Sequence, residues 1–339
     1  MMAIQLPPHY TLRPATLADV EETTALFNAA GEKLVGVADK FHADELAREW
    51  QSPGYNLETD SCLAIAPNGA IAGFIEFWDP SDPHVRYNVW GRTHPDHENR
   101  GIGTALLAWA EARAGQSIGK APTDARLTLG GSTLASHAVA HDLYRAAGYQ
   151  PVRAYLRMVI HMDAPPTEPA WPANVVLRAM RPGDEVDMVR AFRDSFRDHW
   201  GFIESPFEEE MERWRANAFA DPEFDPSLYF LAWEGEQIAG VSLCWHKVSD
   251  DAEMGWVNIL GVRRPWRKQG LGLALLRHSF GEFYRRGKRK VGLGVDAASL
   301  TGATRLYEKA GMRSDPAREM LVFEKELRPG VELRTEKVA

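Results

Sequence analysis

The stretch Ile259–Leu276 carries the pattern Arg267-x-x-Gly270-x-Gly272. This basic, glycine-punctuated loop lies between an apolar, strand-like run and a segment with Leu271, Ala274, Leu275 and Phe280 at helical spacing. A strand that feeds such a loop at a helix N-terminus turns several unpaired backbone N–H groups toward one point. Gly270 and Gly272 lack Cβ atoms, so ligand oxygens can approach that backbone closely. Arg267 and Lys268 add positive charge beside the helix dipole, with Gln269 between them and the glycines. The chemistry is that of an anion cradle. A second cradle runs from His94 to Leu107 and contains Asn99, Arg100, Gly101, Ile102, Gly103 and Thr104. Aligned on the glycines, Glu98 stands where the other loop has Arg267, and a carboxylate there repels an anion unless Arg100 compensates. Thr104 offers a hydroxyl where the other loop has Leu273. The second half is therefore expected to bind its anion better.

The elements that must position these loops are written twice. Tyr10–Thr16 reads as a strand, and Thr16 or Asp19 caps a helix carrying Val20, Leu26 and Phe27. Two apolar runs around Asn68-Gly69 give a hairpin, followed by a strand at Val85–Val89 and a helix at Gly101–Ala114. A strand at Arg126–Leu129, a helix at Ala138–Ala147 and a strand at Ala154–His161 complete the first half. Residues 163–175 contain four prolines within Asp163–Pro172 and read as a semi-rigid linker. The order then resumes. Leu177 follows Leu12 by 165 residues, Gly240 follows Gly73 by 167, Gly270 follows Gly101 by 169, and Tyr307 follows Tyr144 by 163. A repeat this long is a duplicated domain rather than a solenoid unit. The expected domains are 1–162 and 176–339, the second ending in a closing strand and a charged tail within Met320–Glu332.

The two loops resemble the acyl-CoA pyrophosphate loop of the GNAT (Gcn5-related N-acetyltransferase) superfamily. The segments Ala140-His-Asp-Leu-Tyr144 to Gly148 and Thr301–Gly311 resemble the family's Leu-Tyr-x-x-x-Gly segment. The tandem arrangement looks like double GNAT proteins of the mycothiol-synthase type. The resemblance implies an α/β (α+β mixed-sheet) fold, two tandem GNAT-like domains, each a mostly antiparallel central sheet with a splayed fourth strand flanked by helices. It implies acetyl-CoA, or another acyl-CoA, as co-substrate, with direct attack by a primary amine of a small molecule or peptide. It assigns Tyr307, and more weakly Tyr144, as the acid that protonates the departing thiolate. Backbone from Leu260, Gly261 and Val262 is expected to serve the acyl oxygen and pantetheine. Ser299 and Ser136 replace the family's Asn before the last helix. A non-catalytic acyl-CoA-binding sensor and an O-acyltransferase are the alternatives.

Direct acyl transfer also needs a base, because an alkylamine with a pKa of about 10 is mostly protonated near neutrality. Glu253, just ahead of the strand that feeds the loop, is the first choice, followed by Asp296 and His246. Acceptor contacts are expected in Phe196–Met211, where His199, Trp200 and Phe202 can wall a pocket and Glu204 can attract a cation. Glu208–Glu210 are better explained as acids at the start of a helix.

Composition narrows the remaining classes. The 339 residues hold 39 basic and 47 acidic side chains, a net charge of −8 that argues against general nucleic-acid binding. Cys62 and Cys244 have no metal-like spacing and read as buried free thiols, and no His/Cys cluster suggests a metal. The N-terminus lacks the pattern of a secretory signal, and no apolar run reaches membrane-spanning length, so a cytoplasmic protein without membrane partners is expected. Oligomeric state stays open, a homodimer included.

Overall fold

The computed structural model describes residues 5–36, 41–79, 82–299 and 302–336. In chain order the strands are β1 (Thr11–Arg13), β2 (Ser61–Ile65), β3 (Ile71–Trp78), β4 (Arg86–Thr93), β5 (Leu127–Leu134), β6 (Gln150–His161), β7 (Val175–Ala179), β8 (Tyr229–Glu234), β9 (Gln237–Trp245), β10 (Met254–Val262), β11 (Lys290–Asp296) and β12 (Arg313–Arg328). The helices are α1 (Val20–Val35), α2 (Ala43–Glu49), α3 (Leu57–Asp60), α4 (Ile102–Ser117), α5 (Ala138–Ala146), α6 (Glu185–Phe196), α7 (Phe207–Trp214), α8 (Leu271–Arg285) and α9 (Ala303–Lys309). Thr301, expected in the last helix, lies outside the described residues. Glu208–Glu210 fill the first turn of α7, where acids favour a helix start. Among the described residues no helix is long and apolar enough to cross a membrane.

The chain forms two compact units. The first runs through Arg153 and adds Ser205–Asn217 and Met320–Leu333; the second takes Ala154–Glu204, Ala218–Glu319 and the residues from Arg334 on. In the first unit the strand order is β1-β2-β3-β4-β5-β12, and in the second it is β7-β8-β9-β10-β11-β6. Pairing is antiparallel except between β4 and β5 and between β10 and β11. Beside the linear ranges 1–162 and 176–339, the units differ by an exchange. The last strand of each chain half sits in the sheet of the other: β12 pairs β5 from Met320↔Leu134 to Arg328↔Leu127, and β6 pairs β11 from Lys290↔His161 to Asp296↔Tyr155.

Local chemistry repeats between the units. Arg13 donates to both carboxylate oxygens of Asp19, at 2.8 and 2.6 Å, and Asp19 in turn accepts the Thr16 N–H at 2.8 Å. This ties β1 to the start of the first helix, and the paired arginine holds the Asp19 carboxyl at about 2. Arg178 and Asp184 make the same pair, one contact being 2.8 Å. The hairpins turn at Gly69 and Gly235, both with positive φ.

The long helices of both units lie against the sheets where a strand has no side chain. A Cβ on Gly73 would meet Leu106 Cδ1 at 2.9 Å and Ile102 Cγ2 at 3.0 Å; one on Gly240 would meet Gly261 O at 2.9 Å and Leu275 Cδ1 at 3.1 Å. Around these contacts the second unit buries Leu271, Leu275, Phe280, Phe283 and Val291, and the first unit packs Phe27, Trp50, Leu63 and Phe74 together. Because the atom facing Gly240 is a main-chain oxygen of a paired strand, it cannot move aside cheaply. Gly240→Ala is expected to cost about 1–3 kcal/mol, read as a lower urea midpoint at unchanged slope.

Candidate active sites

Both anion loops have one backbone path. A short 3₁₀ turn, Pro95–His97 or Arg264–Trp266, leads to two left-handed residues in alternation. These are Asn99 (φ 57°) with Gly101 (φ 82°), and Lys268 (φ 60°) with Gly270 (φ 87°). Alternating left-handed residues swing successive amides toward a common concavity, and α4 and α8 then begin with N–H groups that no helical carbonyl accepts. Nothing lies within 4 Å of a Cβ placed on Gly101 or Gly270, so their requirement is conformational. The second glycines answer to packing as well as to a ligand. A Cβ on Gly103 would meet Leu143 Cδ2 at 3.3 Å, and one on Gly272 would meet Leu306 Cδ1 at 3.1 Å. They let α5 and α9 close over the helix starts.

Beside each loop two parallel strands part. Pairing of β4 with β5 runs from Arg86↔Thr128 to Val89↔Gly131, and pairing of β10 with β11 from Met254↔Lys290 to Trp256↔Gly292. In the first unit the wedge holds a cavity of about 410 Å³, lined by Asn99, Gly101, Ile102, Gly103, Thr104, Arg92, His137 and Tyr144 among others. In the second unit the cavity is about 150 Å³, lined by Leu260, Asn258, Asp296, Ser299, Tyr307, Phe196, His199 and Trp200 among others. The second loop, Arg267–Gly272, is not part of that lining.

The two fourth strands differ by one residue. The β3–β4 ladder is continuous from Gly73↔Thr93 to Trp78↔Asn88, whereas the β9–β10 ladder shifts register between Val257 and Ile259. Asn258 is the extra residue, a β-bulge at the edge of the cavity, and a bulge leaves main-chain groups out of the ladder. Sequence reasoning missed it.

The loop charges are disposed otherwise than their types suggested. The Arg267 guanidinium turns inward: it pairs with Asp198 and donates to Ser195 O at 3.0 Å and to Val262 O at 2.9 Å. Arg264 Nε donates to the same Asp198 carboxylate at 2.9 Å. Lys268 is exposed, and Gln269 Nε2 donates to Pro265 O at 3.0 Å. In the first unit Glu98 accepts an ion pair from Lys33 at 2.6 Å, so its charge is compensated by α1, while Arg100 donates to the Tyr10 hydroxyl at 3.3 Å. Each cradle is thus chiefly main chain.

Tyr307 is buried, and burial pushes its hydroxyl up to about 12. Tyr144 is likewise pushed up to about 12 by burial; its ring stacks on Phe323 at 5.0 Å, and its hydroxyl lies over Gly131, where a Cβ would stand 2.2 Å away. Both stay protonated at neutral pH and can donate. Glu253 does not reach the second cavity. It is exposed in the turn ahead of β10, its N–H bound to Asp251 Oδ1 at 3.0 Å, and the lining of β10 begins four residues later at Val257. His246 is exposed at the end of β9 and also lies outside the lining. Glu204 is exposed and paired with Arg193 at 2.8 Å and Arg197 at 3.5 Å, and neither it nor Phe202 lines the cavity.

His199 and Asp296 do line it. Burial, and then the Arg267 charge, lower the His199 pKa, while Asp198 and Asp296 oppose that shift. The imidazole is therefore neutral near pH 7, with a lone pair available. Among the described residues no group of three or more His, Cys, Asp or Glu side chains is placed to hold a metal.

Main-chain cradles beside parted parallel strands, with buried Tyr307 in one unit and half-buried Tyr144 in the other, are the arrangement that an acyl-CoA-dependent acyltransferase with tandem domains requires. Residues 187–312 match the acetyltransferase (GNAT) family profile and residues 58–151 an acetyltransferase (GNAT) domain profile. The chain is 31% identical over 311 residues to a mycothiol acetyltransferase of Thermobispora bispora, covering 87% of this chain and 93% of that protein. It is 30% identical over 312 residues to one of Salinispora arenicola, covering 88% and 91%. The crystal structure of a GCN5-related N-acetyltransferase from Sphaerobacter thermophilus matches with a TM-score of 0.78 and 35% identity over 97% of this chain and 99% of that one. A tandem GNAT protein from the clavulanic acid biosynthesis pathway shares the fold, with a TM-score of 0.68 and 18% identity over 95% and 100%. The chain belongs to the GNAT family and is an N-acetyltransferase with tandem domains.

The positive φ at the two first glycines yields a test of each cradle. An L side chain there costs about 1–2 kcal/mol, or roughly tenfold in affinity. Gly101→Ala and Gly270→Ala should each weaken coenzyme A binding about tenfold at their own loop alone, followed by hydrogen-exchange protection of peptides 94–107 and 263–276 during titration.

Proposed function

We propose that the chain transfers an acetyl group from acetyl-CoA to the primary amine of a small molecule, with the chemistry in the second unit and a further acyl-CoA held by the first. One observation carries this reading: a single cavity in the second unit is lined by Tyr307, His199, Asp296 and the bulged Asn258. Acetyl-CoA supplies a thioester acyl group open to direct attack by an amine. His199, neutral at the working pH, takes a proton from the acceptor's ammonium so that the free amine can attack, and the Asp296 carboxylate favours a cationic acceptor at the same opening. Main-chain N–H groups freed around Asn258 donate to the acyl oxygen as it gains charge. Tyr307, protonated because it is buried, gives its proton to the departing thiolate.

Of the two described cavities the first unit's is the larger, with its loop within the lining and Tyr144 in the matching place. Its fourth strand has an unbroken ladder. Those features favour holding a thioester over turning it over. Relatives named mycothiol acetyltransferase, aligned over more than nine-tenths of their length, favour a mycothiol-related amine as the acceptor.

The whole chain, given acetyl-CoA and a panel of amines that includes mycothiol-related ones, should release free thiol. Tyr307→Phe should lower kcat about a hundredfold with coenzyme A binding retained, and Tyr144→Phe should change it by less than about twofold. Thiol release with no amine, or a larger loss in Tyr144→Phe, would overturn the assignment. The pH profile supplies a separate check. The active form of His199 is neutral and its pKa is lowered, so the acid limb of kcat/KM should fall below the ordinary histidine value of about 6.5. That limb should vanish in His199→Ala.

A further inference from the structure

The end of the first helix is tied to the nucleotide loop in both units by ion pairs of opposite polarity. In the first unit Lys33 of α1 bonds Glu98 at 2.6 Å. In the second, Asp198, two residues beyond α6, bonds Arg267 and Arg264. Lys33 and Asp198 are 165 residues apart, as are Arg13 and Arg178; Glu98 and Arg267 are 169 apart, as are Gly101 and Gly270. The four side chains therefore occupy matching places, and both charges are inverted between the copies. Inverting one alone would set like charges face to face beside a loop that must keep a particular backbone path. Only the attraction is common to the two units.

We propose that this pair is a positioning clasp: Lys33 and Asp198 hold the nucleotide loop of their own unit in its binding form, and Asp198 also sets the adjoining His199 against the cavity. The inference rests on the reading that each loop receives the coenzyme A diphosphate and that His199 serves the second unit's reaction. Burial fits the role in the second unit, while in the first Lys33 and Glu98 stay partly exposed. Asp198 is only 1% exposed, yet it is ionised, which demands close cationic partners. Arg267 reaches Ser195 O as well, so the loop grips the last turn of α6 through main chain and side chain together. A Cβ on Gly261 would stand 2.8 Å from Ser195 Cβ, so β10 and that turn are already in close contact.

The test is a charge-inversion cycle in the full-length protein, with Lys33→Asp, Glu98→Arg and the double variant. Coenzyme A is titrated while exchange protection of the peptide 94–107 is followed. Lys33→Asp should weaken binding at that loop about tenfold or more, and adding Glu98→Arg should restore it to within about threefold of the natural protein. An arginine that acted directly on phosphate would tighten binding by the same factor in both backgrounds. Such additivity would overturn the clasp, whereas absence of coenzyme A protection in the natural protein would overturn the underlying assignment of the loop. In the second unit Asp198→Asn should raise KM for acetyl-CoA several-fold by freeing the loop and also lower kcat about tenfold or more by freeing His199. A raised KM with unchanged kcat, or no change in either, would remove Asp198 from the positioning of His199.

Discussion

A helix begins with amide groups that its own carbonyls cannot reach, and this chain places two such beginnings where parallel strands have come apart. The remaining features serve that conjunction. The left-handed pairs Asn99–Gly101 and Lys268–Gly270 aim the amides. Gly73 and Gly240 let α4 and α8 lie close to their sheets, and Gly103 and Gly272 admit the next helix over the entrance. Because main chain rather than side chain forms the cradle, the flanking residues were free to diverge. They did so: one loop carries Glu98 where the other carries Arg267.

Divergence shows equally in the fourth strands. Strand β4 keeps a continuous ladder and a roomy wedge, while β10 gained a residue, buckled at Asn258 and faces a smaller opening walled by Phe196, His199 and Trp200. The two linings thus differ in room and in strand geometry, while each carries a histidine and a tyrosine, His137 and Tyr144 in one and His199 and Tyr307 in the other. Two domains written on one sequence pattern have come to offer a roomier described cavity in one case and a bulged fourth strand in the other.

Much of this was readable in the sequence wherever the signal was local. Glycine loops before helical periodicity, the Asn68-Gly69 hairpin and the recurring offsets gave the elements, and the family resemblance supplied the fold. What the sequence left open depended on direction or on distant pairing. Spacing puts Arg267 on the loop but says nothing of where five N–H donors point, and they point at Asp198 and nearby carbonyls. Glu98 looked like a repulsive charge because its partner Lys33 lies 65 residues away in another element. Glu253 belonged to the right strand region, but a strand is long enough to carry a residue out of reach of a site at its middle. The bulge did leave a trace, since Gly240 to Gly270 spans 30 residues where Gly73 to Gly101 spans 28. Spacing alone could not say where the excess was accommodated.

No local signal marks the exchange of β6 and β12, because strand pairing is decided by surfaces far apart in the chain. Its consequence concerns biosynthesis and gene architecture. The sheet of the first unit cannot close until Met320 and the residues after it have left the ribosome, although most of its strands were made some two hundred residues earlier. A cut in the proline-rich segment 163–175 would not liberate two self-sufficient enzymes, since each fragment would carry a strand of the other's sheet. Such a duplication resists being undone: once the halves had traded strands, fission of the gene would leave both products with an open edge and an incomplete core.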